Sequence, residues 1–527
     1  LAKKREAAMN QQIRTSITIG LVAGFVVIMF GGWAVVIAGA VAGMGLGYFL
    51  GGKTTATKAL DAAKEALVPT LVSSGVLLVV SLMEDLFIAS AIGKDPNNST
   101  VMLQANLIGI LALIGFSLLL TATHTLSERQ QKTAQIILLT FVIISFPFVD
   151  TFTGLRWTAQ IIFALIFTIL ALGLNIVVGF AGLLDLGYAA FFAIGAYTTG
   201  ILSSPQHGIY LNFWIVIWIA AAVAGIFGII LGAPTLPLRG DYLAIVTLGF
   251  GEIVPVIFKN LIKVTIQEPL TCWVIPAITR LFGGNPTIAC ITLIKDIDLT
   301  AGEKGINPIG RPILPYIGEF QSDNSTPWYF LVIAIILMTI FIIRRLRDSR
   351  LGRAWMAVRE DELAASQMGI DPVRTKLLAF AMGAMFSGFA GAFYGAYIRA
   401  IFPSVFDFSV SIIVLCMVIL GGLGNINGVI VGGLVIMTAD RLFLPALKDF
   451  LAGLLKITIL PALSNYPIAQ AAVAQNANPI LYRFLLFGLT LVIMMAVRPE
   501  GLIPSAQRKA ELRSEEEIAA DQATAKA

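Results

Sequence analysis

Between two strongly apolar segments lies RRLRDSRLGRAWMAVREDELAASQMGIDPVRTK, Arg344 to Lys376. Its eight Lys/Arg outnumber its five Asp/Glu, and a short basic loop between spans stays cytoplasmic because positive charge resists translocation while acidic residues count for little. The stretch therefore fixes one side of a membrane protein, and the rest of the topology can be counted outward from it. Within it Leu351 to Met368 is rich in helix formers, Gly369 can take a left-handed cap, and Asp371 with Pro372 makes an N-cap and first-turn pair. The expectation is a short cytoplasmic helix turning sharply into the next span. Its small residues Ala364, Ala365 and Ser366 follow the charged Arg359, Glu360, Asp361 and Glu362, a mixture suited to docking in a groove, although composition alone favours a solvated loop helix.

Composition sets the class. Of 527 residues 57% are hydrophobic and 13% charged, against about 25% charged in soluble domains, and the mean hydropathy is +0.87. This is the profile of an all-α polytopic membrane protein. The net charge of +5 sits beside apolar spans, where the positive-inside bias and anionic headgroups account for it; nucleic acid is not implied, because no basic patch with interleaved aromatics occurs.

At roughly 20 residues per crossing the hydropathy gives about 14 transmembrane helices in one bundle, the shorter apolar runs being candidates for discontinuous half-helices. Ile17 to Gly52 is too long for one helix and divides near Gly31 and Gly32. Counted from a cytoplasmic N-terminus (Lys3, Lys4, Arg5, Arg14), this order returns Lys53, Lys58, Lys64, Arg129, Lys132, Arg239 and the basic loop to one side. The first apolar run lacks the small-residue cleavage site of a signal peptide. Residues 259–327 form an outer loop, and the charged, alanine-rich tail 506–527 reads as a frayed cytoplasmic helix or disorder.

Catalytic and metal motifs do not assemble, so the chain reads as a transport component rather than an enzyme. Gly47 to Thr54 (GYFLGGKT) satisfies G-x-x-x-x-G-K-[ST], but it closes a membrane span instead of joining a strand to a helix, and Lys53 reads better as an interfacial anchor. His124 and His207 fall on opposite sides of the membrane. Cys416 lies in a span, while Cys272 and Cys290 share the outer loop, where they are either a disulfide in an oxidising compartment or two free thiols. Glycine clusters (Gly179 to Gly200, Gly388 to Gly395, Gly421 to Gly433) let helices approach closely in lipid or line a path that opens and closes. Asn175, Asp185, Tyr188, Thr198, Thr199 and Glu252 are the polar groups in or near spans and the candidates for lining that path; ionisable groups there must face protein or water.

Five runs then carry a resemblance. LGLNIVVGFAGLLDLGYAAFFAIGAYTTGIL (Leu172 to Leu202), LRGDYLAIVTLGFGEIV (Leu238 to Val254), SRLGRAWMAVREDELAASQMGI (Ser349 to Ile370), GGLGNINGVIVGG (Gly421 to Gly433) and RPEGLI (Arg498 to Ile503) resemble, in order, the LivM permease subunits of bacterial branched-chain amino acid ABC importers. The resemblance implies a multi-pass protein of the bacterial inner (plasma) membrane that pairs with a LivH-type permease. It also implies two cytoplasmic ABC ATPase subunits that use the ATP, so that this chain binds no cofactor itself, and an extracytoplasmic amino-acid-binding protein. It makes Arg350 to Gly369 the segment coupled to an ATPase, with Arg350, Gly352, Arg353, Arg359, Glu360, Asp361, Glu362, Ala365 and Gly369 as its candidate residues. On this reading residues 134–505 are the permease core, with outer loop 259–327 and coupling loop 344–376, and residues 1–133 are about four extra spans with no recognised counterpart. The outer loop resumes the family pattern at Leu299 to Arg311, and about Ile262 to Asp298 looks inserted. A urea or short-amide ABC permease and a stand-alone secondary carrier are the alternative functions.

Overall fold

A bilayer offers the backbone no water to bond, so each apolar run closes its own hydrogen bonds as a helix. In the computed structural model these helices are α1 (Ala2–Phe30), α2 (Ala34–Gly51), α3 (Ala59–Met83), α4 (Ser99–Thr123), α5 (Glu128–Thr153), α6 (Trp157–Leu174), α7 (Tyr188–Ser203), α8 (Phe213–Thr235), α9 (Asp241–Asn260), α10 (Ser325–Arg347), α11 (Arg350–Glu360), α12 (Glu362–Gln367), α13 (Pro372–Ile398), α14 (Phe408–Gly421), α15 (Ile426–Thr438) and α16 (Arg483–Val497). The structure describes residues 2–30, 34–52, 59–83, 99–154, 156–235, 241–262, 264–267, 292–315, 318–321, 323–448, 451–452, 478–498 and 500–504. Among them 12 helical segments are long and apolar enough to cross a membrane; with α1 and the shorter α7 they fill the expected spans. Two small antiparallel pairs, Val264–Gln267 with Thr292–Ile297 and Ile313–Leu314 with Gly318–Glu319, are the strands among the described residues. Cys272, Cys290 and the tail 506–527 lie outside the described residues.

The chain divides into two compact units, one from Leu1–Thr158 with Ala439–Arg483, the other from Ala159–Thr438 with Phe484–Ala527. This division falls after α5, whereas the sequence boundary at 133/134 falls inside it.

In the first unit α2 crosses α4 on Gly39, Gly43 and Gly47, which lie against the backbone of Gly109, Leu113 and Ser117. The spacing of four keeps the glycines on one face, and with no hydrophobic drive between helices in lipid, close backbone approach supplies the attraction. Polar side chains bond α3 to α4: Thr70 and Ser117 share a 2.9 Å hydroxyl contact, and Ser81 donates to Asn106 Oδ1 at 2.5 Å. Gly51, inside the P-loop-like string, packs on the His124 ring, so the described part of that string serves helix packing; Lys53 and Thr54 are outside the described residues.

In the second unit α13 and the Trp157–Phe180 span are the central pieces, with 78% of the residues in an apolar 18-residue stretch of each buried. Small residues again make this possible: Gly388 meets Gly195 of α7 and Ala220 of α8, and Gly391 meets the Phe192 carbonyl. Residues 299–311 are tied to the end of α7 and to the turn after α13. Ile306 and Ile401 exchange backbone bonds at 3.1 Å, the Gly310 N–H donates to the Ser203 carbonyl at 3.1 Å, and the Ser204 hydroxyl donates to the Pro308 carbonyl at 2.9 Å.

Candidate functional site

The basic loop folds as two helices, not the single one expected. Asp361 takes φ −152° and ψ 110°, and its Oδ1 accepts from the N–H groups of Leu363 at 2.8 Å and Ala364 at 2.9 Å. An aspartate that caps a new helix ends the old one, since the capping residue must leave helical geometry. Ser349 opens α11 by accepting from the Gly352 N–H. At the other end Gly369, at φ +85°, closes α12: its N–H donates to the Ser366 carbonyl and that of Ile370 to the Ala365 carbonyl, the paired bonds of a left-handed glycine cap. Asp371 then caps α13, accepting from Val373 and Arg374, with Pro372 in its first turn as the sequence predicts.

This helix pair has an inner and an outer face. Gly352, Trp355 and Val358, spaced by three on α11, are buried, and the Trp355 indole donates to the Thr375 carbonyl at 2.7 Å. Glu362 pairs with Lys376 at 2.8 Å, whose side chain is only 10% exposed. Ala365 is buried too. Of the coupling residues named from the sequence, Gly352, Glu362 and Ala365 therefore shape the pair from inside, Asp361 and Gly369 cap it, and Arg350, Arg353 and Glu360 stand on its exposed side. Sequence reasoning misses Leu363 and Met368, which are 69% and 84% exposed. Large apolar side chains on an otherwise polar loop are the signal that could have found them.

Arg359 turns inward. Its guanidinium donates to the carbonyl of Gly179, which lies in a π turn, Asn175–Phe180, that continues α6. Gly182, at φ +71°, lies against the Arg359 stem, and a Cβ there would sit 2.6 Å from Cγ. One turn away, Asn175 Oδ1 accepts from the Gly424 N–H at 3.0 Å. Gly424 belongs to a glycine turn between α14 and α15 where Gly421 and Gly428 put backbone on backbone. The segment 500–504 returns to this turn: Leu502 and Ile503 N–H groups donate to the Leu420 and Gly421 carbonyls at 2.8 and 3.1 Å, and Asn425 Nδ2 donates to the Ile503 carbonyl at 2.9 Å. From the other side Thr247 of α9 accepts from the Leu186 N–H at 3.1 Å. Three of the runs thus touch the π turn or the connection that follows it, which lie in the first run, and the fifth joins through the α14–α15 turn.

The polar residues singled out in the spans separate by environment. Asn175 and Asp185 are fully buried. Asp185 Oδ1 accepts from the Gly187 N–H at 2.9 Å, while Asp185 Oδ2 and Asn175 Nδ2 have no hydrogen-bond partner among the described residues. The buried Tyr188 hydroxyl donates to the Gly383 carbonyl of α13 at 2.9 Å. Thr198 and Thr199 donate to the Ile194 and Gly195 carbonyls of their own helix. Glu252 is exposed on α9 and borders a hollow of about 490 Å³ with Ile253, Val256, Ile257, Asn260 and Leu261. Cys416 is a buried free thiol.

A multi-pass helical chain whose membrane helices and loop helix pair join at one polar node is a membrane permease component. The family model described as "Branched-chain amino acid transport system / permease component" matches residues 157–494, starting at the first residue of α6, and the chain belongs to that family. It is 37% identical over 351 residues to the high-affinity branched-chain amino acid transport system permease protein LivM of Escherichia coli (strain K12), covering 66% of this chain and 70% of that one. With LivM of Salmonella typhimurium (strain LT2) it shares 34% over 370 residues, 66% of this chain and 70% of the relative. LivH of Salmonella typhimurium is similar over a shorter stretch, 32% identical over 127 residues, 24% of this chain and 40% of that protein. No solved structure matches.

Proposed function

We propose that this chain is the transmembrane permease subunit of an ABC importer that carries leucine, isoleucine and valine into the cell across the bacterial inner membrane. The observation that carries the proposal is the junction of the cytoplasmic helix pair with the π turn through Arg359 and Gly179, a fixed mechanical route from an external ATPase to the spans. The family to which the chain belongs supports the substrate class.

The partners in this proposal are a LivH-type permease, two cytoplasmic ABC ATPases that hold the ATP, and an extracytoplasmic binding protein that delivers the amino acid. The chain itself binds no nucleotide and carries no cofactor; the packing of Gly47 and Gly51 against α4 and His124 supports that reading of its P-loop-like string. The outer face of the helix pair, with Leu363 and Met368, is the ATPase contact. Reconstitution with these partners in vesicles, comparing uptake of leucine, isoleucine, valine and urea, tests the whole assignment. ATP-dependent uptake of the three amino acids is the expected result. Preference for urea would move the chain to a short-amide importer, and uptake driven by a proton or sodium gradient without any ATPase would make it a secondary carrier.

A further inference from the structure

Arg359 lies in the coupling segment, yet its side chain is directed into its own chain. Its guanidinium bonds the Gly179 carbonyl, and its stem fills the space over Gly182, where a left-handed glycine leaves no Cβ in the way. Gly179 sits in the one stretch of the α6 span that leaves α-helical bonding, the π turn Asn175–Phe180. A π turn interrupts the regular i→i−4 ladder of its helix, and such turns recur at functional sites. The same turn bonds the α14–α15 glycine loop through Asn175 Oδ1 and the Gly424 N–H at 3.0 Å. Asn175 leaves its Nδ2 buried without a partner among the described residues, an unmet donor that a shift of the turn could satisfy. A single arginine therefore connects the loop to this irregular turn and, through it, to the α14–α15 hairpin.

We propose that Arg359 is a positioning residue: the strut by which displacement of the cytoplasmic helix pair shifts the π turn, so that its contact with Gly179 sets how much substrate moves per ATP hydrolysed. The proposal rests on the reading of the chain as an ATPase-driven permease. Trp355 and Val358 seat α11 against the unit, and Glu362 with Lys376 and the buried Ala365 seat α12 beside α13, so a push from the partner moves the pair as one piece. The Arg359 contact then lies on the transmitting side, and its guanidinium is rigid enough to push as well as pull.

The test uses the full complex, reconstituted with its partner permease, ATPases and binding protein, and measures binding-protein-stimulated ATP hydrolysis and leucine uptake on the same vesicles. In Arg359→Gln the ratio of uptake to hydrolysis should fall about tenfold, the scale of one lost hydrogen bond from a charged donor, with hydrolysis itself changed less. Arg359→Lys should restore part of the ratio. Gly182→Ala, which crowds the stem but keeps the guanidinium, should lower it as well. A parallel loss of uptake and hydrolysis in proportion to assembled complex, or a wild-type ratio in Arg359→Gln, overturns the strut. Should Arg359→Gln fail to assemble, a wild-type ratio in both other variants overturns it equally. Wild-type uptake that needs no ATPase would instead defeat the permease reading itself, a result distinguishable from failure of the strut alone.

Discussion

The helices α1–α4 and the core around α13 are built on the same packing rule and differ in what they do with it. Both bring glycine faces together until backbone meets backbone, Gly43 on Leu113 in one and Gly388 on Gly195 in the other. Among the described residues of α1–α4, however, no positive φ occurs, whereas the second unit has positive-φ glycines in its outer segments at 208, 302, 305 and 318 and a second group of five at 182, 369, 422, 424 and 501. The second group lies within the runs that converge on the π turn and the α14–α15 turn or cap the helix pair of the basic loop. Glycine that lets helices touch and glycine that lets a chain reverse are different signals. The second kind gathers, at 182, 369, 422, 424 and 501, around the site proposed above.

The comparison can be broken first at Trp355. Trp355→Ala removes a fully buried indole and leaves the Thr375 carbonyl without its donor. A loss of about 3–5 kcal/mol is expected for the large-to-small change, before the cost of the orphaned carbonyl. Rapid tryptic cleavage within residues 344–376 and loss of ATP-driven uptake are the readouts. Equal protease resistance in mutant and wild type would show that the pair is not held from inside.

Paired glycine variants sharpen the contrast directly. Gly43→Val and Gly421→Val each thrust a branched side chain at facing backbone, Leu113 in the first and Gly428 in the second, and overpacking of this kind costs about 1–3 kcal/mol. Both should lower the thermal midpoint in detergent. Only Gly421→Val should also abolish uptake by the complex that still assembles, because the α14–α15 turn carries the Asn175 contact. Loss of uptake by fully assembled Gly43→Val would give the N-terminal helices a part in transport that their regular packing does not suggest.

A smaller change tests the break between α11 and α12. Asp361→Ala removes a side chain that satisfies two backbone donors, a loss of about 0.5–2 kcal/mol. The expected product is an α12 whose first turn frays, with fast exchange at its uncapped N–H groups and lower transport, and Asp361→Ser should recover most of the loss. Hydrogen exchange at Leu363 and Ala364 reads this directly: slow exchange in Asp361→Ala would show that the cap is dispensable.

The spans are legible in the sequence because lipid imposes one simple demand, a run of apolar residues with internally bonded backbone. The turn at Gly369, Asp371 and Pro372 is legible because capping is local chemistry. The break at Asp361 uses the same chemistry and is hidden by strong helix formers on both sides, Met356 to Arg359 and Glu362 to Ala365, which read as one helix. The direction of Arg359 has no local signal, since its partner Gly179 is 180 residues away. Ala365 and Leu363 look interchangeable in a string of small and apolar residues, yet one is 5% exposed and the other 69%. Only the packing of α12 beside α13 separates them.

That separation supplies the change with the smallest effect on the fold. Leu363→Ala with Met368→Ala removes apolar surface that is already in water, so the stability of the chain should move by no more than about 0.5 kcal/mol. Ala365→Trp places a large ring at a buried site and should unfold the pair by overpacking, so its failure would say little about docking. If the outer face meets the ATPase, the double alanine variant should fold, insert and resist protease like wild type. Co-purification with the ATPase subunits should weaken by roughly tenfold or more, the scale expected when two apolar side chains are trimmed from the centre of an interface. Reversing Glu360 to lysine, on the same exposed side, should weaken it less, because charges at a wet rim contribute little. Unchanged co-purification of the double variant, beside a clear loss on reversal of Glu360, would invert the assignment and make the docking electrostatic. Salt distinguishes the two independently: apolar docking by Leu363 and Met368 holds or strengthens at high ionic strength, whereas charge docking fades as the Debye length shrinks to about 3 Å at 1 M.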